Sequence, residues 1–357
     1  MAYTTITDPS AHFQIALYSG TGSSQSITND GNSNLQPDWV WLKKRAGGTA
    51  RDHQLYDTTR GATYVINANT TAAETQTSGV TAFNSDGFTA GGDDGSNGSG
   101  GTYVAWQWKA NGGTTVTNTD GATNGYNTTV QANQTAGFSI VKFNAPFDQG
   151  NGRYNLGHGL GATPEFILTK CSGASADWYV YHKDMGGSNI YLRLNLTAAT
   201  STTGARYTFY EPAFSSTIFN MDWNNIVLQN QDFICYCFVG VQGFSKFGKY
   251  KGNGNADGPF IYTGFKPGFV MIKERNAVEE WFILDSKRNT FNAVDKTLYA
   301  SGNYAEGTGA QYMDFLSNGI KIKNNHTGTN TNGNTYLYMA FAENPFVATN
   351  AVPATAR

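Results

Sequence analysis

Apolar residues fall in short runs along this chain, separated by polar clusters such as TNDGNSN, GGDDGSNGSGG and NHTGTNTNGN. Inside the runs the bulky positions alternate at period two, and no long stretch carries the 3.6-residue spacing of an amphipathic helix. The pattern predicts many strands joined by tight turns, an all-β fold with little helix. The residue types agree: Thr, Tyr, Phe and Val suit a pleated surface, while Gly and Asn supply the positive-φ positions of turns.

The pattern occurs three times. A proline followed by an apolar run appears as PDWVWLKK from Pro37, PEFILTKC from Pro164 and PGFVMIKE from Pro267. Two residues after each proline stands an aromatic (Trp39, Phe166, Phe269), and six after it a lysine (Lys43, Lys170, Lys273). Proline fits the first position of a strand, where no ladder donor is needed. Later in each copy comes YVAWQWKA, FICYCFVG or YLYMAFAE, in which Val104, Trp106 and Trp108 match Ile234, Tyr236 and Phe238, and Leu337, Met339 and Phe341. These nine alternate, so they mark a core face. Between the two markers lie HQLYDTTRG, WYVYHKDMG and WFILDSKRN. Asp57 and Arg60 match Asp285 and Arg288 there, whereas the second copy has His182 and Met185. Each copy also opens on a short strand beginning at an aromatic: Phe13, Phe138 or Phe247.

Three tandem β-sandwich domains follow, at 1–110, 138–245 and 246–347, with a short tail at 348–357. Jelly-roll connectivity is the expectation, and immunoglobulin-like topology the alternative. Residues 111–137 read as a polar linker or extended arm, a segment suited to lying along a neighbour and to letting the first domain hinge.

Charge narrows the function. With 24 Lys and Arg against 26 Asp and Glu the net charge is −2, and no basic run offers a face for nucleic acid. No apolar stretch has the length of a membrane span, and MAYTTITDPSAHFQ has no signal-peptide pattern, so synthesis in a cytoplasm is expected. Three cysteines do not describe a disulfide framework.

Candidate chemistry is sparse. His12, His53, His158, His182 and His326 share no metal-binding spacing and fall at unrelated points of the repeats. Cys235 and Cys237 point to one face of a strand and read as small core fillers, since a zinc site needs two further ligands. DGNSNL from Asp30 has oxygen ligands at alternate positions but lacks the glycine and glutamate of a calcium loop. Asp93 and Asp94 have the oxygens to hold an ion such as calcium, though turn chemistry accounts for them; GNGNADG from Gly252 lacks the helix start of a phosphate loop, and the Asp-x-x-Arg pairs read as turn clamps. The sequons at Asn69 and Asn195 are expected by chance in a chain rich in Asn and Thr. Neither a catalytic residue, nor a cofactor, nor a metal site is assigned.

The repeat markers also carry a resemblance. The opening from Tyr3 through LQPDWVWLKKR, together with LYDTTRGA, FNSDGF, GTYVAWQWKANGG, AGFSIVKF, GHGLGATPEFIL, SKFGKYKGNGNADGPFIYTGFKPGFVMIK and YLYMAFAENPF, resembles a repeat-domain family of uncharacterised virion proteins from marine tailed bacteriophages. The resemblance implies a non-enzymatic virion structural protein, a tail-fibre or tail-appendage component or a head-decoration protein. It would dock on capsid or tail subunits and assemble as a symmetric homo-oligomer, with a trimer the first expectation. A carbohydrate-binding adhesin for host surface polysaccharide is the alternative.

Overall fold

The computed structural model describes residues 3–121, 126–145, 153–187, 190–201, 209–222 and 230–347. The first repeat runs through β1 (Phe13–Ser19), β2 (Gln25–Ile27), β3 (Trp39–Ala46), β4 (Gln54–Asp57), β5 (Tyr64–Asn67), β6 (Thr75–Gln76), β7 (Val80–Phe83), β8 (Phe88–Ala90) and β9 (Thr102–Trp108). A single helical turn, α1 (Asp94–Asn97), precedes the last strand. The strands make a six-stranded sheet, β1-β9-β3-β4-β5-β6, and a three-stranded sheet, β2-β8-β7.

The second repeat holds β10 (Val116–Asn118), β11 (Thr128–Asn133), β12 (Phe138–Ala145), β13 (Arg153–Gly157), β14 (Phe166–Cys171), β15 (Trp178–His182), β16 (Leu192–Arg193), β17 (Ile218–Asp222) and β18 (Gln231–Phe238). Its sheets are β10-β11-β12-β18-β14-β15-β16 and β13-β17. The third holds β19 (Ser245–Lys251), β20 (Phe260–Tyr262), β21 (Phe265–Glu274), β22 (Trp281–Asp285), β23 (Val294–Tyr299), β24 (Gly307–Leu316), β25 (Gly319–Ile322) and β26 (Thr335–Pro345), with a second helical turn, α2 (Thr327–Asn330). Its strands form one sheet, β19-β26-β21-β22-β23-β24-β25-β20. Among the described residues no helix is long and apolar enough to cross a membrane.

The chain is all-β and sandwich-like, with one frame used three times. In each repeat the last strand lies between the first strand and the proline-led strand. Trp39, Phe166 and Phe269 sit opposite Trp108, Phe238 and Phe341. On the other side those three residues face Phe13, Phe138 and Ser245. Register therefore corrects the sequence match by two residues: Phe247 stands level with Ile15 and Ile140, not with Phe13. Pro267 lies inside β21, at a register slip, instead of at its start. Jelly-roll connectivity is met only in part. First-to-last and second-to-penultimate strand pairings are present in the first repeat, but β4 and β5 extend the large sheet without crossing to the small one.

The nine alternating residues of the last strands are all buried, and so are their neighbours on the opposite face. In the first repeat that opposite face packs Val40, Leu42, Tyr56 and Tyr103 against Ile27, Phe88 and Ala90, which is the interior of one sandwich. The alternating face belongs to a different core. Trp39, Trp41, Trp106 and Trp108 join one cluster that runs unbroken through all three repeats. Trp39 meets Phe138 at 5.9 Å between ring centroids, Phe166 meets Phe247 at 5.6 Å, and Phe269 meets Phe13 at 6.0 Å. Each proline-led strand thus presents its aromatic to the first strand of the following repeat, and the third repeat presents its own to the first. The repeats close a ring with approximate threefold symmetry around this aromatic centre. The first repeat packs into that centre, and the segment read as a linker supplies β10 and β11 to the second sheet.

Candidate functional site

The residues that sequence reasoning set apart are used to lock the ring. Lys43 donates to the carbonyls of Arg51 in its own repeat and Asn303 in the third. Lys170 does the same with Ala176 and with Thr71 of the first repeat, and Lys273 with Glu279 and with Thr197 of the second. Each amine is buried, and burial pushes each down to about 8. Main-chain bonds follow the same circuit: Glu306 to Arg45, Glu74 to Ser172 and Thr200 to Arg275.

The Asp-x-x-Arg pairs are turn clamps that also reach across the ring. Asp57 accepts the Arg60 amide at 2.8 Å and its guanidinium at 2.5 Å, and Asp285 binds Arg288 with the same two distances. The spare capacity of each carboxylate takes a donor from another repeat: the Tyr236 hydroxyl on Asp57 at 2.7 Å and the Trp106 indole on Asp285 at 3.0 Å. At the third junction both halves change together. Met339 replaces the donor and His182 the carboxylate; His182 Nδ1 accepts the Asp184 amide, so its Nε2 donates to the Tyr338 carbonyl at 3.2 Å. Burial draws that imidazole down to about 4.

The other candidates also have partners within the fold. His53 Nδ1 accepts the Trp41 indole, His158 the Leu160 amide, and His326 the Gly328 amide at the start of α2. His12 lies edge-on to Phe244. The Cys235 thiol contacts the Thr169 hydroxyl at 2.8 Å, and burial pushes it up to about 12. Asp93 caps α1 through the Gly95 amide, while Asp94 is held by Lys44 at 2.8 Å and Arg51 at 2.6 Å. Asp30 accepts Lys287 of the third repeat on both oxygens. Asn253 and Asn255, in the loop from Gly252, bond to Asn330. Asn69 bonds Asp52 and the His53 amide, and Asn195 the Trp178 amide. Among the described residues no cluster of His, Cys, Asp and Glu is set to hold a metal.

What sequence reasoning missed lies at the junction of the first and third repeats. A cleft of about 360 Å³ opens there between Ser10, Phe13, Gln14, Ile15 and Asp30 on one wall and Gly268, Ser286, Lys287 and Asn344 on the other. At the two matching junctions the same place carries charged side chains with bonded partners. Between the first and second repeats Asp38, which takes the place of Gly268, accepts the amides of Ala110, Gly112 and Gly113, and the Gln131 amide packs against Thr58 and Thr59. Between the second and third, Glu165 takes that place and pairs with Lys183 at 2.8 Å, and Asp184 pairs with Lys249 at 3.2 Å. The junction of the first and third repeats combines Gly268 with, among the described residues, no strand matching β11. The signal available in the sequence was the substitution series Asp38, Glu165, Gly268 directly after the three marker prolines.

No curated protein and no solved structure matches the chain. A family described as Domain of unknown function (DUF7483) matches residues 8–345, and the chain belongs to that family.

Proposed function

We propose that this chain is a non-enzymatic structural component of a tailed-phage virion, displayed on the particle as a tail-fibre, tail-appendage or head-decoration protein. The observation that carries the reading is the use of its buried polar groups. Lys43, Lys170 and Lys273, both Asp–Arg pairs and His182 all serve to join one repeat to the next. Such an arrangement suits a rigid block whose work is to be a shape and to dock. The ring supplies threefold character within a single chain, so assembly on capsid or tail subunits, or as a homo-oligomer, joins whole blocks. Imaging purified particles labelled with an antibody to this chain tests the reading. Label across the capsid lattice assigns decoration, label confined to the tail assigns a fibre or appendage, and particles that never carry it overturn the proposal.

One observation favours the second reading, an adhesin for host polysaccharide. Phe260 and Tyr262 are exposed on the same face of β20, with the Lys246 ammonium 5.2 Å from the Tyr262 ring centroid. Two adjacent aromatic faces suit stacking on sugar rings. A glycan array in which a bound polysaccharide is lost on F260A and Y262A supports it, and no binding to any host glycan removes it.

A further inference from the structure

Phe13, Gln14 and Ile15 are consecutive residues of β1, yet all three line the cleft between the first and third repeats. Successive side chains of a strand point to opposite faces, so consecutive residues share one cavity along the strand's edge. β1 is the end strand of its sheet, and among the described residues nothing pairs with its outer side.

The same edge is treated differently in the other repeats. In the second it is covered: β11 runs antiparallel to β12 and sets Gln131 opposite Ile140. In the third it is guarded by Lys246, Lys249 and Lys251 on β19, charges that discourage strand addition. β1 reads FQIALYS and carries no charge; among the described residues no strand covers its outer edge, and Leu17, level with Lys249, is 40% exposed.

We propose that the outer edge of β1 accepts an extended segment of a partner polypeptide as an added antiparallel strand. The segment is uncharged, alternates as β11 does, and carries Gln or Asn opposite Ile15. β11 is the template for this chemistry. Ile15 matches Ile140, and the hydroxyl partners of Gln131, Thr58 and Thr59, correspond to Ser286 and Lys287, both of which line the cleft. An added strand therefore gains main-chain hydrogen bonds from β1 and delivers its amide to the place that Gln131 fills one junction away. A second copy of β1 does not fit the requirement. Antiparallel pairing of FQIALYS with itself, face matched to face, sets Phe13, Ile15, Leu17 or Ser19 opposite Ile15 and never Gln14.

This inference concerns one edge of the molecule and does not rest on a virion location, so the two proposals fail separately. The test uses the full chain and a synthetic peptide of residues 126–136, YNTTVQANQTA, with hydrogen exchange read by mass spectrometry. At ten times its Kd the peptide is expected to slow exchange in Phe13–Ser19 roughly tenfold, by mass action. A Q131P peptide, which lacks a ladder donor, is expected to give no slowing, and an L17K chain to bind the native peptide more weakly. L17K copies the guard of β19 at an exposed position, so folding is retained. Absence of slowing at about 1 mM peptide, or equal slowing by the Q131P peptide, overturns the proposal. So does exchange in Phe13–Ser19 that depends on protein concentration alone, which assigns the edge to self-association.

Discussion

The Tyr236 hydroxyl, carried by the second repeat, donates to Asp57 of the first at 2.7 Å, and both groups are buried. The Asp57 carboxylate has already closed its own turn on Arg60. One residue therefore fixes a local turn and a long-range junction together, 179 positions apart along the chain. Removing the hydroxyl leaves a buried carboxylate short of a donor. Y236F is expected to cost about 1.5–3 kcal/mol, the range for hydrogen bonds to charged groups, and to lower the Tm by several degrees. W106F, which removes the matching bond to Asp285, is expected to behave alike in a denaturation series. M339L, at the junction where no such bond exists, is expected to cost less than about 1.5 kcal/mol. Equal losses for all three variants refute the assignment of the bonds as junction locks.

The buried lysines give the ring a signature in alkali. Lys170 is held at about 8 against an ordinary 10.5, with desolvation the main cause. Below about 8 both folded and unfolded chains carry the proton, and the folded chain bears the cost of a buried charge. Between about 8 and 10.5 the unfolded chain binds more protons, so the lysine's contribution to stability rises with pH. K170M strands the carbonyls of Thr71 and Ala176 and is expected to destabilise at every pH. The gap between wild type and K170M should widen from pH 8 to pH 10. Urea titrations at those two values check the direction, and a gap that narrows contradicts it.

His182 has the opposite window. It is held at about 4 against an ordinary 6.5, by burial first, with Asp184, Lys183 and Lys249 as the charged groups around it. Between about 4 and 6.5 the unfolded chain binds the additional proton, so stability is fully present above 6.5 and is lost as pH falls through 4. A shift of this size corresponds to roughly 3 kcal/mol. H182Q keeps a polar side chain but cannot titrate, so the advantage of wild type over H182Q should shrink between pH 7 and pH 4. Thermal melts of the two proteins across that range measure it, and a constant difference rules the titration out.

Much of this was legible in the chain. Alternation placed Val104, Trp106 and Trp108 and their six counterparts inside, and they are inside. Repetition found the three prolines, the three lysines and the Asp–Arg turns. What alternation cannot say is which layer a buried face meets. The face carrying Trp106, Tyr236 and Met339 looks in sequence like the interior of a sandwich, but it meets the other repeats, because a sheet covered on both sides gives the same period-two signal. The replacement of Asp by His182 reads only as a departure of the second copy until Met339 is seen to have lost the donor at the same junction. Likewise 111–137 reads as linker because β11 is polar on its exposed positions, whereas pairing with β12 and the reach of Gln131 are set by contacts distant in sequence.

The shared core leads to a last prediction. Three sandwiches on a string would unfold separately, and each would fold alone. Here Phe13, Trp39, Trp106 and Trp108 of the first repeat are buried largely by groups of the other two, as in Trp39 against Tyr236 at 4.3 Å and Trp108 against Phe341 at 5.6 Å. Expressed alone, residues 3–110 would present those four rings to water as one apolar patch, and Asp57 would lose Tyr236. The fragment is expected to aggregate or to bind a hydrophobic dye, without the near-ultraviolet circular dichroism of packed tryptophans. The intact chain is expected to unfold in one cooperative step, with tryptophan fluorescence and far-ultraviolet signals coincident. A fragment with sharp tertiary signals, or an intact chain that melts in three resolved transitions, would show that the ring is an association of independent domains and that the junction bonds are secondary to it.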